Sequence, residues 1–240
     1  MAKPRRTWRT KLDDLIESEL AKAGFEPFSG TEHFFPISDE VLGIIHISNQ
    51  TSIYGKVALI KTDYGIIHYQ LGLLWRQMAD YSRWYCQETL ASSVSDFDIW
   101  IPQCELSETT PEEVKQREIA QTVAALQNEV VPYLSNKFKN VADLATHLKN
   151  RRQPNYEILC LAMVANKEIM PALELAWQKL CRYSERHDKI LPTPFKLKFD
   201  AWIKDGAKMP DLAKAKELTF EEAEKRRIEI AALPRNKRPL

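Results

Sequence analysis

Gly43-Ile44-Ile45-His46 returns as Gly65-Ile66-Ile67-His68, and how the two copies lie beside each other decides the fold. In an extended chain successive side chains alternate between faces. Ile44, His46 and Ser48 therefore share one face of the first copy, and Ile45 and Ile47 the other. The second copy divides into Ile66, His68 and Gln70 on a mixed face and Ile67, Tyr69, Leu71 and Leu73 on an apolar one. Laid side by side, the copies predict the centre of an antiparallel sheet. Its buried face would take Ile45, Ile47, Val57, Leu59, Ile67 and Leu71, and its mixed face, carrying both His46 and His68, would be open to solvent, a partner or a ligand.

Upstream of the repeat, Trp8, Leu12, Leu15, Ile16 and Leu20 recur at helical intervals, with Asp13, Asp14 and Glu17 opposite and Gly24 as the stop. A strand is expected at His33-Phe34-Phe35, and three more at Leu42 to Ser48, Tyr54 to Ile60 and Gly65 to Leu74. Asn49-Gln50-Thr51 and Thr62-Asp63-Tyr64 supply the turn-forming residue types between them. Connections this short exclude parallel crossovers, so the strands form a meander. From Leu74 the period becomes helical through Met78, Tyr81 and Tyr85, and Phe97 to Ile101 reads as an extended piece returning to the sheet edge. Thr109-Thr110-Pro111-Glu112-Glu113 begins a helix continued by Ile119, Val123, Leu126, Val130 and Tyr133. Further helices are expected at Val141 to Lys149, Asn155 to Ala165 and Ile169 to Tyr183, the last with Ile169, Leu173, Ala176, Trp177, Leu180 and Tyr183 as its apolar side. Leu191-Pro192-Thr193-Pro194 interrupts regular structure before a charged helix at Phe220 to Ala231 and a basic end. The fold class is α+β: an N-terminal helix and antiparallel β-meander in residues 1–105, a helical region in 106–190 packed on or beside the sheet, and a Pro-rich, charged C-terminal extension in 191–240.

The 240 residues are 44% hydrophobic and 28% charged, an ordinary globular balance, and a formal net charge of +1 gives no overall drive toward nucleic acid or an anionic membrane. Cys86, Cys104, Cys160 and Cys181 are scattered without a Cys-x-x-Cys pair, which argues against a zinc ribbon or disulfide framework and for reduced thiols. The basic start runs into an amphipathic segment rather than a signal peptide, and no stretch is apolar over a bilayer's thickness, so a cytoplasmic location without membrane contact is the default.

Three constellations are candidates for function. Imidazoles at His46 and His68 could ligate a metal or move protons. With a strand between them, however, they stand roughly 10 Å apart, and no carboxylate accompanies them at alternating positions of their own strands. The run from Trp75 to Tyr85 combines Trp, Tyr and Arg, the residue types that dominate binding hot spots. Arg76, Arg83 and Trp84 would project beside a helix packed on the sheet, and with His46, His68 and Gln70 they form the expected partner-binding set. Basic residues crowd both ends: Lys3, Arg5, Arg6, Arg9 and Lys11, then Lys225, Arg226, Arg227, Arg235, Lys237 and Arg238. Of these, Arg5, Arg6, Arg9, Arg235, Lys237 and Arg238 are the set for an alternative, nucleic-acid-binding reading. Phosphate loops, nucleophile elbows and paired metal-binding helices are missing from the sequence, so no catalytic residue, metal or cofactor is expected.

Ala23-Gly24-Phe25 after the first helix, Phe34-Phe35, Ile47-Ser48-Asn49-Gln50-Thr51-Ser52 and Tyr69-Gln70-Leu71-Gly72-Leu73 together resemble a small bacterial domain-of-unknown-function family. That family is similar in organisation to immunity-type proteins encoded beside polymorphic toxins. The resemblance covers about the first third of the chain, mainly residues 8–75, and more loosely the helical stretch through Val130 and Leu144. Gln70 stands where the family more often has Asn, and the tail after Leu191 has no counterpart. The resemblance implies a non-enzymatic, protein-binding role, most concretely neutralisation of a bacterial toxin. The family has no established catalytic residues, so it implies no site.

Overall fold

The computed structural model describes residues 7–29, 32–51, 57–79, 99, 101, 103–184 and 189–233. Helix α1 (Trp8–Lys22) starts where the Thr7 hydroxyl accepts the Thr10 N–H, 3.3 Å away. It stops at Gly24, whose φ of +83° lets Phe25 N–H reach back to the Leu20 carbonyl and Gly24 N–H to that of Ala21. Strands β1 (Glu26–Ser29), β2 (Glu32–Pro36), β3 (Val41–Thr51) and β4 (Val57–His68) then form an antiparallel meander, completed by β5 (Cys104–Ser107) along β4. The α+β class and the order of helix, meander and helical region are as the sequence predicts.

The register differs from the expected one. Val57–His68 is a single strand, and Thr62-Asp63-Tyr64, expected as a turn, runs through its middle with Thr62 and Tyr64 opposite Ile47 and Ile45. Asn49-Gln50-Thr51, the other expected turn, stays in β3 against Ile60, Leu59 and Ala58. The strand expected to continue to Leu74 ends at His68. From Tyr69 the chain is helical, because Leu71, Leu74, Trp75 and Met78 reach one core only at helical spacing. Edge pairing falls to Cys104–Ser107 rather than Phe97 to Ile101. Of that stretch Ile99 and Ile101 pack against the core, and Phe97, Asp98 and Trp100 lie outside the described residues.

Because Val41 pairs with His68 and Ile45 with Tyr64, odd-numbered residues of β3 share a face with even-numbered residues of β4. The expected common face for His46 and His68 is therefore wrong: each copy alternates as anticipated, but the two are matched the other way round. Ile45, Ile47, Ile60, Tyr64 and Ile66 enter the main core with Leu12, Ile16 and Leu20 of α1. Ile67 is buried on the opposite face, with Leu42 and Ile44, while Val57 and Leu59 are only half-buried. Gly43 faces the main core under the ring of Phe35, its β2 partner. A Cβ there would come within 2.2 Å of that ring, so the first glycine of the repeat is a packing requirement.

Helix α2 (Tyr69–Ala79) joins the sheet to the helical region: α3 (Glu112–Ala125), α4 (Val131–Lys137), α5 (Val141–Asn150), α6 (Tyr156–Ala165) and α7 (Ile169–Lys179). A π-helical turn at Leu126–Val130 joins α3 to α4 just before Pro132, whose ring cannot accept the regular ladder. Every residue of α6 from Ile158 to Val164 is buried, and the main core runs without a break from α1 through α6 to Phe199. A ribbon of β6 (Cys181–Ser184) and β7 (Lys189–Pro192) leads to α8 (Pro194–Lys204), which the Thr193 hydroxyl caps at Lys196 N–H with Pro194 in the first turn. The segment read as an interruption is thus a strand end followed by a helix start. Last, α9 (Leu212–Ala232) lies over the sheet's second face, where Ala215 and Ala223 pack on Phe28, Leu42, Ile44, Ile67, Tyr69 and Leu73. Phe220 sets its ring edge-on to Phe34 and Phe28, with centroids 5.3 and 6.0 Å away.

Candidate functional site

Helix α9 covers only the end of the second face where that face is apolar. Beyond Phe34, Ile44 and Gly65 comes a polar row in which Glu32 of β2, His46 of β3 and Asp63 of β4 are direct cross-strand partners. His46 Nδ1 lies 3.6 Å from Asp63 Oδ2, and Glu32 is buried on the other side. Ser48 opposite Lys61 continues the row. The carboxylates missing from the sequence around His46 come from neighbouring strands, a juxtaposition visible only once the register is known. The described residues contain no cluster of three or more His, Cys, Asp or Glu side chains placed to hold a metal ion.

His68 has a different setting. It is 1% exposed at the end of β4, where Nδ1 accepts the Leu71 N–H at 3.5 Å and Nε2 stands 3.4 Å from Glu40 Oε2. This arrangement places the proton on Nε2. Burial lowers its pKa, against a smaller opposing effect of the Glu40 carboxylate, which favours the neutral ring. Together with the Tyr69 N–H donated to the Glu40 carbonyl, it ties the β2–β3 turn to the start of α2. Gln70 and Arg76 are likewise engaged inside the chain. Gln70 Nε2 donates to the Pro210 carbonyl at 2.6 Å, and Arg76 Nη2 lies 3.6 Å from Glu222 Oε1, both fastening α9 and the loop before it.

Most of the exposed large hydrophobic side chains among the described residues lie elsewhere, on α7, the β6–β7 ribbon and α8. Helix α7 packs through Ala172 and Ala176, whose small side chains allow close approach to α6, and Leu180 follows on the same side. The expected apolar side is buried at Ala176 and Leu180 but not at Trp177, which shares an outward face with Met170, at 59 and 65% exposure; Ile169, in line with Ala176, is 41% exposed at the first turn of the helix. Tyr183, expected at the end of that helix, sits in β6, where it pairs with Ile190; both are exposed. Leu197 on α8 is exposed as well, so six of the nine exposed large hydrophobic side chains among the described residues fall between 169 and 197. The signal was in the sequence, as Ala172 and Ala176 at i, i+4 against Met170 and Trp177 at i, i+7.

Grooves flank α7 on both sides and share Glu174 and Gln178 on its crest. One, about 410 Å³, is bordered by Leu173, Trp177 and Lys196. Lys196 is only 4% exposed, its ammonium paired with Asp200 and held 5.6 Å from the centre of the Trp177 ring. The other, about 570 Å³, has Leu159, Met163 and Leu175 along its floor, and Lys149, Arg151 and Lys179 at its edges. Lys149 is paired with Glu168, and Lys179 lies over the ring of Tyr156.

Arg83 and Trp84 of the expected partner-binding set lie outside the described residues, as do Arg5, Arg6, Arg235, Lys237 and Arg238 of the nucleic-acid set. Arg9 is described, with its guanidinium 5.5 Å from the centre of the Trp8 ring. No described helix is long and apolar enough to cross a membrane. Compared with known proteins, the chain matches no family model, no curated protein and no solved structure, so its reading rests on its own residues.

Proposed function

We propose that this chain is a non-enzymatic protein-binding factor, acting as immunity-type proteins do by covering a working surface of a bacterial toxin. The observation that carries the proposal is the exposed apolar surface of α7, the β6–β7 ribbon and α8. A solvent-facing Trp, Tyr, Met, Ile and Leu over three consecutive elements costs solubility unless a partner covers them, and Trp and Tyr are the side chains that concentrate binding energy. The interface is thereby assigned to the helical region rather than to the sheet face expected from the histidines, much of which α9 occupies.

A photo-crosslinking residue placed at Trp177, at His46 and at Ile228 of α9, in separate variants of the full chain expressed in its native cell, tests the reading. A discrete adduct at 177 that protease removes and nuclease does not is the expected result. An adduct at 46 alone would move the interface to the sheet, and a nuclease-sensitive adduct at 177 would replace protein binding by nucleic-acid binding. Growth protection against a toxin encoded beside the chain, lost in Trp177→Asp, would give the partner its class.

A further inference from the structure

Building on that reading, we infer that the α7–α8 surface docks an acidic amphipathic helix of a protein partner, with apolar side chains meeting Met170, Leu173, Trp177 and Leu197 and carboxylates meeting the surrounding cations. Charge supports this choice. Residues 141–204 hold eleven Lys and Arg against seven Asp and Glu, whereas the whole chain holds 34 against 33, so positive charge gathers in this region and the remainder is net negative. Exposed Arg182 and Lys189 neighbour the exposed Tyr183–Ile190 pair, and Arg151 and Lys179 border one groove together with the Lys149–Glu168 pair and Glu174, while Lys196 in the other groove is buried against Asp200 and serves the Trp177 ring rather than a partner. A surface of this kind repels a second copy of itself, because an isologous dimer through α7 would oppose like charges.

Shape supports the helical form of the occupant. Met170 and Trp177 are seven residues apart on one side of α7, about 10 Å along the axis, which is two turns and the spacing of i and i+7 anchors on a helix lying alongside. Trp177 is held from behind by the Lys196 ammonium, itself fixed by Asp200, so the indole offers its area without first having to be ordered. Extended nucleic acid would use the cations and the Trp ring, but would leave Met170, Leu173, Leu197 and Ile190 without apolar contacts.

The test titrates the full chain into three labelled peptides of about 18 residues, long enough for about five helical turns. The first is a helix with Leu and Phe at i, i+3, i+4 and i+7 spacing and Glu elsewhere. The second replaces its Glu by Gln, and the third keeps the first composition with the apolar residues spread round the helix. A labelled single-stranded oligonucleotide of similar length is the fourth probe. Fluorescence anisotropy should show binding of the first peptide, at least about fivefold weaker binding of the other two, and at least about tenfold loss in Trp177→Ala. Leu197→Ala should weaken it in the same direction, and circular dichroism of both variants should match the parent because both positions are exposed. Equal binding of the Gln peptide, equal binding of the faceless peptide, indifference to both substitutions, or displacement of the first peptide by the oligonucleotide would each overturn the inference. A protease-sensitive crosslink at 177 with no affinity for the first peptide would overturn the acidic helix while leaving the protein-binding reading intact; absence of both would remove the two together.

Discussion

Two apolar surfaces of this chain meet opposite fates. The apolar end of the sheet's second face, built from Phe28, Leu42, Ile44 and Ile67, is covered by α9 of the same chain, with Ala215, Thr219 and Ala223 buried against it. The outer side of α7 and α8, with Met170, Trp177 and Leu197, is covered by nothing among the described residues. The distinction lies in what each helix turns outward. Helix α9 gives Ala215, Thr219, Ala223 and the edge of the Phe220 ring to the sheet and mainly charged side chains to solvent, with Ile228 exposed among them, while α7 gives Ala172 and Ala176 to the core and leaves Met170 and Trp177 outside. Burying a residue is a statement about stability, and exposing a Trp is a statement about something outside the fold.

The comparison is broken most directly by placing a charge on each surface. Ala215→Asp puts an unpaired carboxylate under α9 and should cost about 3 kcal/mol or more, enough to loosen α9 from the sheet. Trp177→Asp, on the open surface, should change stability by no more than about 0.5 kcal/mol. Urea denaturation of both variants checks the contrast, and a large loss at Trp177 would make that side chain part of the fold rather than of an interface.

Gly43→Ala comes next. The new Cβ meets the Phe35 ring on the main core face, and overpacking of this kind costs about 1–3 kcal/mol. Adding Phe35→Leu should return part of the loss, because the smaller side chain vacates the space above Gly43. Thermal unfolding of the single and double variants measures this. A neutral Gly43→Ala would mean that the main core yields as readily as the α7 surface, erasing the contrast between a packed face and an open one.

These residues also show what was legible in the sequence. Helix α1, the meander order and the helical stretch beginning at Glu112 follow from period and punctuation, since Leu12, Ile16 and Leu20 or Ile119, Val123 and Leu126 bury one side and Gly24 ends the first run. The register was not legible. Thr62-Asp63-Tyr64 has the composition of a turn, yet its Asp faces the polar row and its Thr and Tyr the core, an alternation that local propensity cannot separate from a break. The match between the two Gly-Ile-Ile-His copies depended on that register, and His46 and His68 went to opposite faces with it. The candidate interface was hidden by the same kind of ambiguity. Ile169, Leu173 and Trp177 look like a buried side until Ala172 and Ala176 are recognised as the contact that lets α7 approach α6 closely.

A smaller effect, at His68, depends on pH. Burial holds the folded pKa of His68 below its unfolded value, so below about pH 6.5 the unfolded chain takes up a proton that the folded chain refuses. The stability that neutral His68 allows is complete above that pH and is lost as the pH falls from it toward the lowered folded value. The melting temperature should therefore drop between about pH 7.5 and 5.5 in the parent, and drop less over the same interval in His68→Asn. An unchanged pH slope in the variant would remove His68 from this account of the junction between β4 and α2.

The smallest effect belongs to the polar row at the uncovered end of the sheet. His46 and Asp63 are neighbours across β3 and β4 at 3.6 Å, with Asp63 almost half exposed, and water screens a pair placed so. A double-mutant cycle with His46→Ala and Asp63→Ala at neutral pH should give a coupling below about 0.5 kcal/mol. That would leave the row as a solvated sheet end and keep the weight of binding on α7 and α8. A coupling well above about 1 kcal/mol would mean that the pair works in a drier setting than its exposure suggests, with buried Glu32 sharing in it. The sheet, rather than the helices, would then be where chemistry had been assembled at a cost to the fold, and the order of the two surfaces would have to be reversed.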